Sequence, residues 1–155
     1  MRQDIERFIE RAGLMWEDDG LPRIAGRIFA LALISEDALS LDEIAESLGV
    51  SKASVSNDTR LLERMGFIER VSRPGDRRDY YQSNERSFER AIAERIRRMK
   101  DLQDLIESGR ALAVKSPAVR ERLDDHHLAF SHITRALQSA LEELKARHQL
   151  EAKTR

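Results

Sequence analysis

The chain has 155 residues, 35% charged and 5% aromatic, and a formal net charge of −1 at pH 7. That length can bury one core, either as a single domain or as a small domain with helical extensions. The lack of cysteine excludes disulfides, thiolate metal sites and cysteine redox switches, and near neutrality excludes a polycation that coats nucleic acid. No apolar run is long enough for a membrane span and the charged N-terminus is no signal peptide, so we expect a cytoplasmic protein.

Two amphipathic helices are predicted before residue 35. The first covers residues 2–18 and is expected to pack on the C-terminal helices or on a partner subunit. Its apolar side consists of Ile5, Phe8, Ile9, Ala12 and Trp16. The second begins at Leu21-Pro22, since proline suits a first turn, and runs to about Ile34. Within it, Gly26 either permits close helix contact or is merely tolerated.

Residues 40–65 have the pattern of a helix-turn-helix, after a predicted loop over residues 35–39. Ser40 and Glu43 form a capping box, and Gly49 suits the left-handed geometry that ends a helix. Ser51 can cap a second helix, whose apolar side contains Val55 and Leu62. The opposite side is polar and carries Lys52, Ser54, Ser56, Asn57 and Arg60.

A basic hairpin is predicted directly after this second helix. Gly66 ends the helix, and residues 67–72 alternate as a half-buried strand does. Residues 73–78 read RPGDRR, a turn with three arginines, and residues 79–82 return as the partner strand. Tyr80 and Tyr81 are expected on opposite faces, one in the core and the other exposed.

The segment from about Gly20 to Gln82 resembles the DNA-binding domain of MarR-like repressors, in particular their GbsR branch. The shared features are Gly26-Arg27, the SKASVS start of the second helix, an L-x-x-x-G-F-I-E-R motif and the PGDRRDYY wing. The resemblance implies a mainly α-helical fold, a winged helix-turn-helix with a small β-hairpin wing, whose N- and C-terminal helices form a helical dimerisation region. The expected divisions are residues 1–20, an N-terminal dimerisation helix; 21–83, the DNA-binding domain; and 84–155, the C-terminal dimerisation region.

The second helix and the wing supply the candidate DNA contacts. Asn57 can read adenine bidentately, Arg60 can read guanine or grip phosphate, and Ala53 can touch a thymine methyl. Helix N-termini favour phosphate binding, and the arginines of the wing suit a narrow minor groove. Asp76 and Arg78 resemble the Asp-x-Arg element of the family, in which the acid orients arginines. The predicted DNA-binding residues are Ser40, Ser51, Lys52, Ala53, Ser54, Ser56, Asn57, Arg60, Arg73, Arg77 and Arg78.

Two long helices are predicted after the wing. The first, capped by Ser83 or Asn84, has an apolar stripe of Phe88, Ile92, Ile96, Met99, Leu102 and Ile106, and Gly109 is a possible break. The second starts at Ser116-Pro117 and reaches about Leu150. It has a heptad-like seam in which apolar residues recur every seven positions, at Leu123, Phe130, Leu137 and Leu144. Ile133 and Leu141 lie between these positions and are assigned to the same seam. A homodimer with interleaved helices accounts for both stripes, and an intramolecular hairpin in a monomer is the alternative.

The sequence contains no catalytic or cofactor motif, so we predict neither an enzyme nor a bound cofactor. His126, His127 and His132 lie close on the last helix, but their spacing does not suit helical metal ligands. We predict no metal site there, although a metal site across a dimer or a pH sensor remains open.

We therefore predict a dimeric regulator, expected to repress transcription, that binds specific double-stranded DNA, has no membrane partner and responds to a small effector. The GbsR resemblance implies a choline- or betaine-type effector, because aromatic faces hold a quaternary ammonium. Phe8, Trp16 and Phe29 are the candidate cage residues, although a place in the core suits each of them better. The alternatives are a winged-helix protein-interaction module without DNA binding and a metal-responsive regulator.

Overall fold

The computed structural model describes residues 2–84, 86–112 and 116–154. Within these ranges the protein is mainly helical, with one small antiparallel sheet, as predicted. The elements are α1 (Arg2–Asp18), α2 (Arg23–Ile34), β1 (Leu39–Ser40), α3 (Leu41–Leu48), α4 (Lys52–Met65), β2 (Glu69–Ser72), β3 (Asp79–Gln82), α5 (Ser87–Ala111) and α6 (Pro117–Thr154). The chain divides into two compact units, Met1–Arg90 and Ala91–Arg155. None of the described helices is long and apolar enough to cross a membrane.

Helix α1 packs along α2, at a crossing that requires glycine. A Cβ atom on Gly26 would lie 2.6 Å from the Ala12 carbonyl oxygen and 2.7 Å from Trp16 Cγ. Gly26 therefore permits close helix contact rather than being merely tolerated. The buried side of α1, including Ile9, joins the core that contains α2. The expected packing of α1 on the C-terminal helices or on a partner subunit stays a prediction, which concerns the side of α1 that this core leaves exposed.

Arg27 links these two helices to α3. Its Nε lies 2.6 Å from Glu10 Oε1 on α1, and its Nη2 donates a 2.9 Å hydrogen bond to the Leu48 carbonyl. Leu48 is the last residue of α3, and the last carbonyls of a helix have no partner within it. The arginine of the Gly26-Arg27 motif thus connects α1 to the end of the first helix of the helix-turn-helix.

The predicted helix boundaries around the turn are confirmed. Ser40 and Glu43 form the capping box on α3, and Ser51 accepts a hydrogen bond from the Ser54 N–H at the start of α4. Gly49 and Gly66 end the two helices with φ values of 63° and 83°. Because β-carbon-bearing residues rarely adopt this left-handed conformation, glycine sets both helix ends.

The sheet has the order β1-β3-β2, and its first strand replaces part of the predicted loop. Leu39 pairs with Tyr81 and Ser40 with Tyr80, while β2 pairs with the other edge of β3. The central position of β3 corrects the expectation for the tyrosines, since both are buried, with 1% of Tyr80 and 6% of Tyr81 exposed. Tyr81 joins the core of the first unit, whereas wing side chains cover Tyr80.

The second unit consists of α5 from Ala91 onward and the whole of α6. The two helices run antiparallel and contact each other. Gln103 Nε2 donates to Ser131 Oγ over 3.0 Å, and Arg110 Nε lies 2.7 Å from Asp124 Oδ1. Gly109 lies inside α5 and does not break it.

The predicted apolar stripes of α5 and α6 are corrected at three residues. Phe88 and Leu102, both assigned to the α5 stripe, are 58% and 36% exposed. Ile133, assigned to the α6 seam, is 45% exposed, whereas the adjacent Thr134 is buried. The less exposed side of α6 instead steps by four and three residues through Leu123, His127, Phe130, Thr134, Leu137, Leu141, Leu144 and His148.

Candidate nucleic-acid interface

The second helix of the helix-turn-helix, α4, is held by a fully buried side. Val55, Thr59 and Leu62 are each 0% exposed, so this face of α4 is packed into the core. The Thr59 hydroxyl, which would otherwise be an unsatisfied polar group, donates to the Val55 carbonyl over 2.8 Å. With one side fixed in this way, the opposite side of α4 necessarily faces outward.

The outer side of α4 presents a short polar surface. Ala53, Asn57 and Arg60 are exposed and fall on one helical face, whereas Ser54 and Ser56 are half-buried. Arg64 is also exposed and extends this face by one turn. We did not predict Arg64, although its position four residues after Arg60 is a signal for the same face.

Two predicted contacts at the helix N-termini have other partners in the structure. Ser40 is 1% exposed, and its hydroxyl donates to Glu43 Oε2 over 2.6 Å. The hydrogen bonds from Ser40 hold the pKa of the Glu43 carboxyl below its ordinary value. A negative carboxylate therefore occupies the N-terminus of α3, which gives Ser40 a capping role.

Lys52 and Ser51 lie at the N-terminus of α4. The Lys52 ammonium lies 2.8 Å from Asp42 Oδ1, and both side chains are more than half exposed. An exposed ion pair of this kind is worth about 0–1 kcal/mol, so Lys52 can exchange Asp42 for a phosphate at little cost. Ser51 is exposed, and its Oγ lies 3.0 Å from Ser54 Oγ.

Asp76 is the acceptor at the centre of the wing. Its carboxylate accepts hydrogen bonds from Arg78 Nη2 over 2.6 Å, from the Arg78 backbone N–H over 2.9 Å and from the Tyr80 hydroxyl over 2.7 Å. The Arg78 guanidinium is the main reason that the pKa of Asp76 lies far below its ordinary value. The hydrogen bond that the Tyr80 hydroxyl donates to this carboxylate raises the pKa of Tyr80.

The three wing arginines differ in their surroundings. Arg78 is occupied by Asp76, and Arg73 Nη2 donates to the Ala38 carbonyl over 2.7 Å. Arg77 is exposed, and it forms no hydrogen bond or ion pair with the part of the chain that the structure describes. Of the three, Arg77 is therefore the side chain most available to a ligand.

The aromatic side chains proposed as an effector cage do not lie together as a set. Trp16 and Phe29 pack on each other and on Phe67, with ring centroids 5.1–5.6 Å apart. Phe8 is 45% exposed and makes no ring contact within the described residues. Since a cage needs open space between ring faces and these rings fill it themselves, the geometry favours a packing role.

The histidines of α6 have separate surroundings. His126 Nδ1 lies 2.7 Å from the Arg122 carbonyl oxygen, and His127 Nε2 lies 3.8 Å from Glu107 Oε2 on α5. Across residues 2–84, 86–112 and 116–154, no three His, Cys, Asp or Glu side chains are grouped to hold a metal ion.

Comparison with known proteins gives consistent results along the chain. The MarR family matches residues 26–80. The HTH-type transcriptional regulator MmpR5 of Mycobacterium tuberculosis (strain ATCC 25618 / H37Rv) is 35% identical over 140 residues, which span 89% of this chain and 85% of that protein. The HTH-type transcriptional repressor OpcR of Bacillus subtilis (strain 168) is 28% identical over 76 residues, 49% of this chain and 41% of OpcR. A crystal structure of a transcriptional regulator superposes with a TM-score of 0.86 at 34% identity, covering 92% of this chain and 99% of the other.

Proposed function

The chain belongs to the MarR family of transcriptional regulators, and from that premise we propose that α4 and the wing bind specific double-stranded DNA. The observation that supports this most is the exposed face of α4 beside a wing with one available arginine. Asn and Arg side chains on such a helix match base edges in the major groove, and Arg77 suits a phosphate or a minor groove. The proposed contacts are Ser51, Lys52, Ala53, Ser54, Ser56, Asn57, Arg60, Arg64 and Arg77.

The proposal includes a homodimer. In the first unit, α1 exposes Ile5, Phe8 and Met15, which recur at helical spacing. In the second unit, Leu105 on α5 is 65% exposed, and Leu112, which directly follows α5, is 68% exposed. A second copy would cover these apolar side chains, and its two-fold symmetry would present two α4 helices to half-sites roughly 34–36 Å apart.

Repression and effector control are the finer parts of the proposal. A small molecule can control DNA binding only if its affinity differs between the DNA-binding conformation and another one. The GbsR branch and a choline- or betaine-type effector rest on the sequence resemblance alone, and the cytoplasmic location also stays a prediction. Repression is supported by the partial similarity to a protein named as a repressor.

DNA binding is tested by fluorescence anisotropy on the intergenic DNA upstream of the protein's own gene, or on a site selected from random sequence. We expect Asn57→Ala, Arg60→Ala and Arg77→Ala each to weaken binding by about 1–3 kcal/mol. Arg77→Ala should also reduce the slope of log K against log salt by about 0.9, the value for one phosphate contact.

The matched control is Arg98→Ala, which removes the same charge from an exposed position on α5. The control should bind as the unsubstituted protein does. If the three test variants also bind in this way, the α4 and wing surface is not the DNA interface. If selected DNA is not bound at all, a winged-helix module that contacts other proteins becomes the better description.

A further inference from the structure

The Arg73 side chain crosses the whole width of the small sheet. Arg73 directly follows β2, its guanidinium carbon lies 3.9 Å from the centroid of the Tyr80 ring on β3, and its Nη2 reaches the carbonyl of Ala38. Ala38 immediately precedes β1, which is the opposite edge strand. One side chain therefore connects both edges of the sheet across its central strand.

Tyr80 is the support on which this connection rests. Its ring is 1% exposed, and the guanidinium carbon of Arg78 lies 5.4 Å from the ring centroid. Its hydroxyl donates to Asp76 in the turn of the wing. A ring fixed at both its face and its hydroxyl gives the planar Arg73 guanidinium a defined seat, which an ammonium group would not match.

The attachment point of Arg73 relates the wing to the DNA-reading helix. Ala38 leads through β1 directly into α3, and α3 packs against α4 within the first unit. Strand β3 of the wing pairs with β1, but β2 is connected to β1 only through β3, so the root of the wing at the end of β2 could tilt about β3. The Arg73–Ala38 hydrogen bond links that root to the segment that begins the helix-turn-helix.

The charges around the wing support the same division of roles. Asp76 forms an ion pair with Arg78. The positive charges of Arg73 and Arg78 also contribute to the lowered pKa of the Glu43 carboxyl at the start of α3. The positive charges of these two arginines are therefore offset within the protein. Arg77 has no such acid partner among the described residues, so it is the arginine whose charge is left for DNA.

We propose that Arg73 is a positioning residue, which acts through Tyr80 and the Ala38 carbonyl to hold the wing at the angle that DNA binding requires. The proposal rests on the proposed function and reassigns one of the three arginines predicted to touch DNA. It distinguishes Arg73 from Arg77 although both are exposed arginines of the same turn.

The test compares Arg73→Lys and Arg73→Ala with Arg77→Lys and Arg77→Ala in the full-length protein. Lysine keeps the charge but loses the planar group that stacks and reaches Ala38. We expect both Arg73 variants to weaken specific binding by a similar factor, at least roughly 5-fold, with an unchanged salt slope. Arg77→Lys should bind nearly as the unsubstituted protein does, and Arg77→Ala should lose about 0.9 of the slope.

A second readout uses the free protein and needs no DNA. The Asp76 N–H donates to the Arg73 carbonyl over 3.1 Å, and the Arg78 N–H donates to Asp76 Oδ1 over 2.9 Å. Amide hydrogen exchange of these two residues, measured by NMR, should be faster in both Arg73 variants and unchanged in both Arg77 variants.

The outcomes separate this proposal from the proposed function. Binding and exchange of Arg73→Lys equal to those of the unsubstituted protein would overturn the positioning role. A slope reduced by about 0.9 in Arg73→Ala, with unchanged exchange, would make Arg73 a phosphate contact and also overturn it. If the unsubstituted protein binds no DNA, the proposed function fails, while the exchange measurement still decides whether Arg73 braces the wing.

Discussion

At the scale of single residues, the conformation of the wing depends on the hydrogen bonds that the Asp76 carboxylate accepts. Asp76 accepts hydrogen bonds from Arg78 and Tyr80, and these donors lower the pKa of the Asp76 carboxyl. The hydrogen bond to Asp76 in turn raises the pKa of the Tyr80 hydroxyl. The stabilisation from Asp76 is therefore present above its unfolded pKa of about 4 and is lost as pH falls through the lowered folded pKa. The stabilisation from Tyr80 has the opposite sign. It is present below the unfolded pKa of about 10 and is lost as pH rises through the raised folded value.

The Tyr80 pKa can be measured directly, because the protein has only two tyrosines. In a Tyr81→Phe variant, the absorbance change at 295 nm reports Tyr80 alone. We expect its ionisation above the ordinary pKa of about 10, since the hydroxyl proton is shared with a carboxylate.

Adding Asp76→Asn to this variant removes that charge and should shift the Tyr80 midpoint downward. An identical midpoint in the two proteins would show that the Tyr80–Asp76 hydrogen bond does not exist in solution. Arg77→Ala on the same background is the control, because the Arg77 side chain forms no hydrogen bond or ion pair with Asp76 or Tyr80 in the described part of the chain and should leave the midpoint nearly unchanged.

At the scale of helices, the α1–α2 crossing depends on the size of one side chain. A Cβ on Gly26 would meet the Ala12 carbonyl and Trp16 at 2.6–2.8 Å, so backbone would have to move. Arg27, the next residue, connects α1 with the end of α3. A change in the separation of α1 and α2 would therefore also displace the end of α3, the first helix of the helix-turn-helix.

We expect Gly26→Ala to lower the free energy of unfolding by about 1–3 kcal/mol, the usual cost of inserting a methyl group into a close-packed site. Chemical denaturation followed by circular dichroism measures this change. Gly109→Ala is the matched control, since a Cβ there would lie 3.5 Å from Leu123 Cδ2, an ordinary contact distance. The control should be stabilised by up to about 1 kcal/mol, because alanine favours a helix over glycine. Equal effects of the two substitutions would contradict the close approach at Gly26.

At the scale of the whole molecule, the main question is the number of subunits. Three of the apolar residues that α1 leaves exposed, Ile5, Phe8 and Met15, fit an interface with a second copy. In a two-fold interface each residue occurs twice, so one substitution acts on both sides.

We expect sedimentation equilibrium to give about twice the chain mass of 17.8 kDa. Phe8→Glu should weaken the dimer strongly, since burying one such aromatic side chain is worth about 1.5–3 kcal/mol and two are lost. Gln3→Glu, an exposed position on another side of α1, is the control and should leave the mass unchanged. A monomeric unsubstituted protein, or a Phe8→Glu variant that dimerises normally, would exclude this face as the interface.

Local features of the chain were readable from the sequence because they depend on a single residue or on residues no more than four apart. The Ser40–Glu43 capping box, the glycine helix ends and the Asp-x-Arg contact all belong to this class. The leucine repeat of α6 was also readable, but the residue between Phe130 and Leu137 was not. Both Ile133 and Thr134 satisfy the spacing, hydrophobicity favoured Ile133, and the regular step of four then three residues placed Thr134 in the seam.

By itself, the sequence determined the mainly helical winged helix-turn-helix, the outer face of α4 and the basic wing. Only the tertiary structure decided that Tyr80 and Tyr81 are both buried, and that Arg73 reaches the Ala38 carbonyl whereas Arg77 has no hydrogen bond or ion pair among the described residues. The physical reason is sequence distance. The periodicity of a helix or strand reports which side of an element is apolar, whereas the partner of Arg73 is 35 residues away and is brought close only by the pairing of β1 with β3.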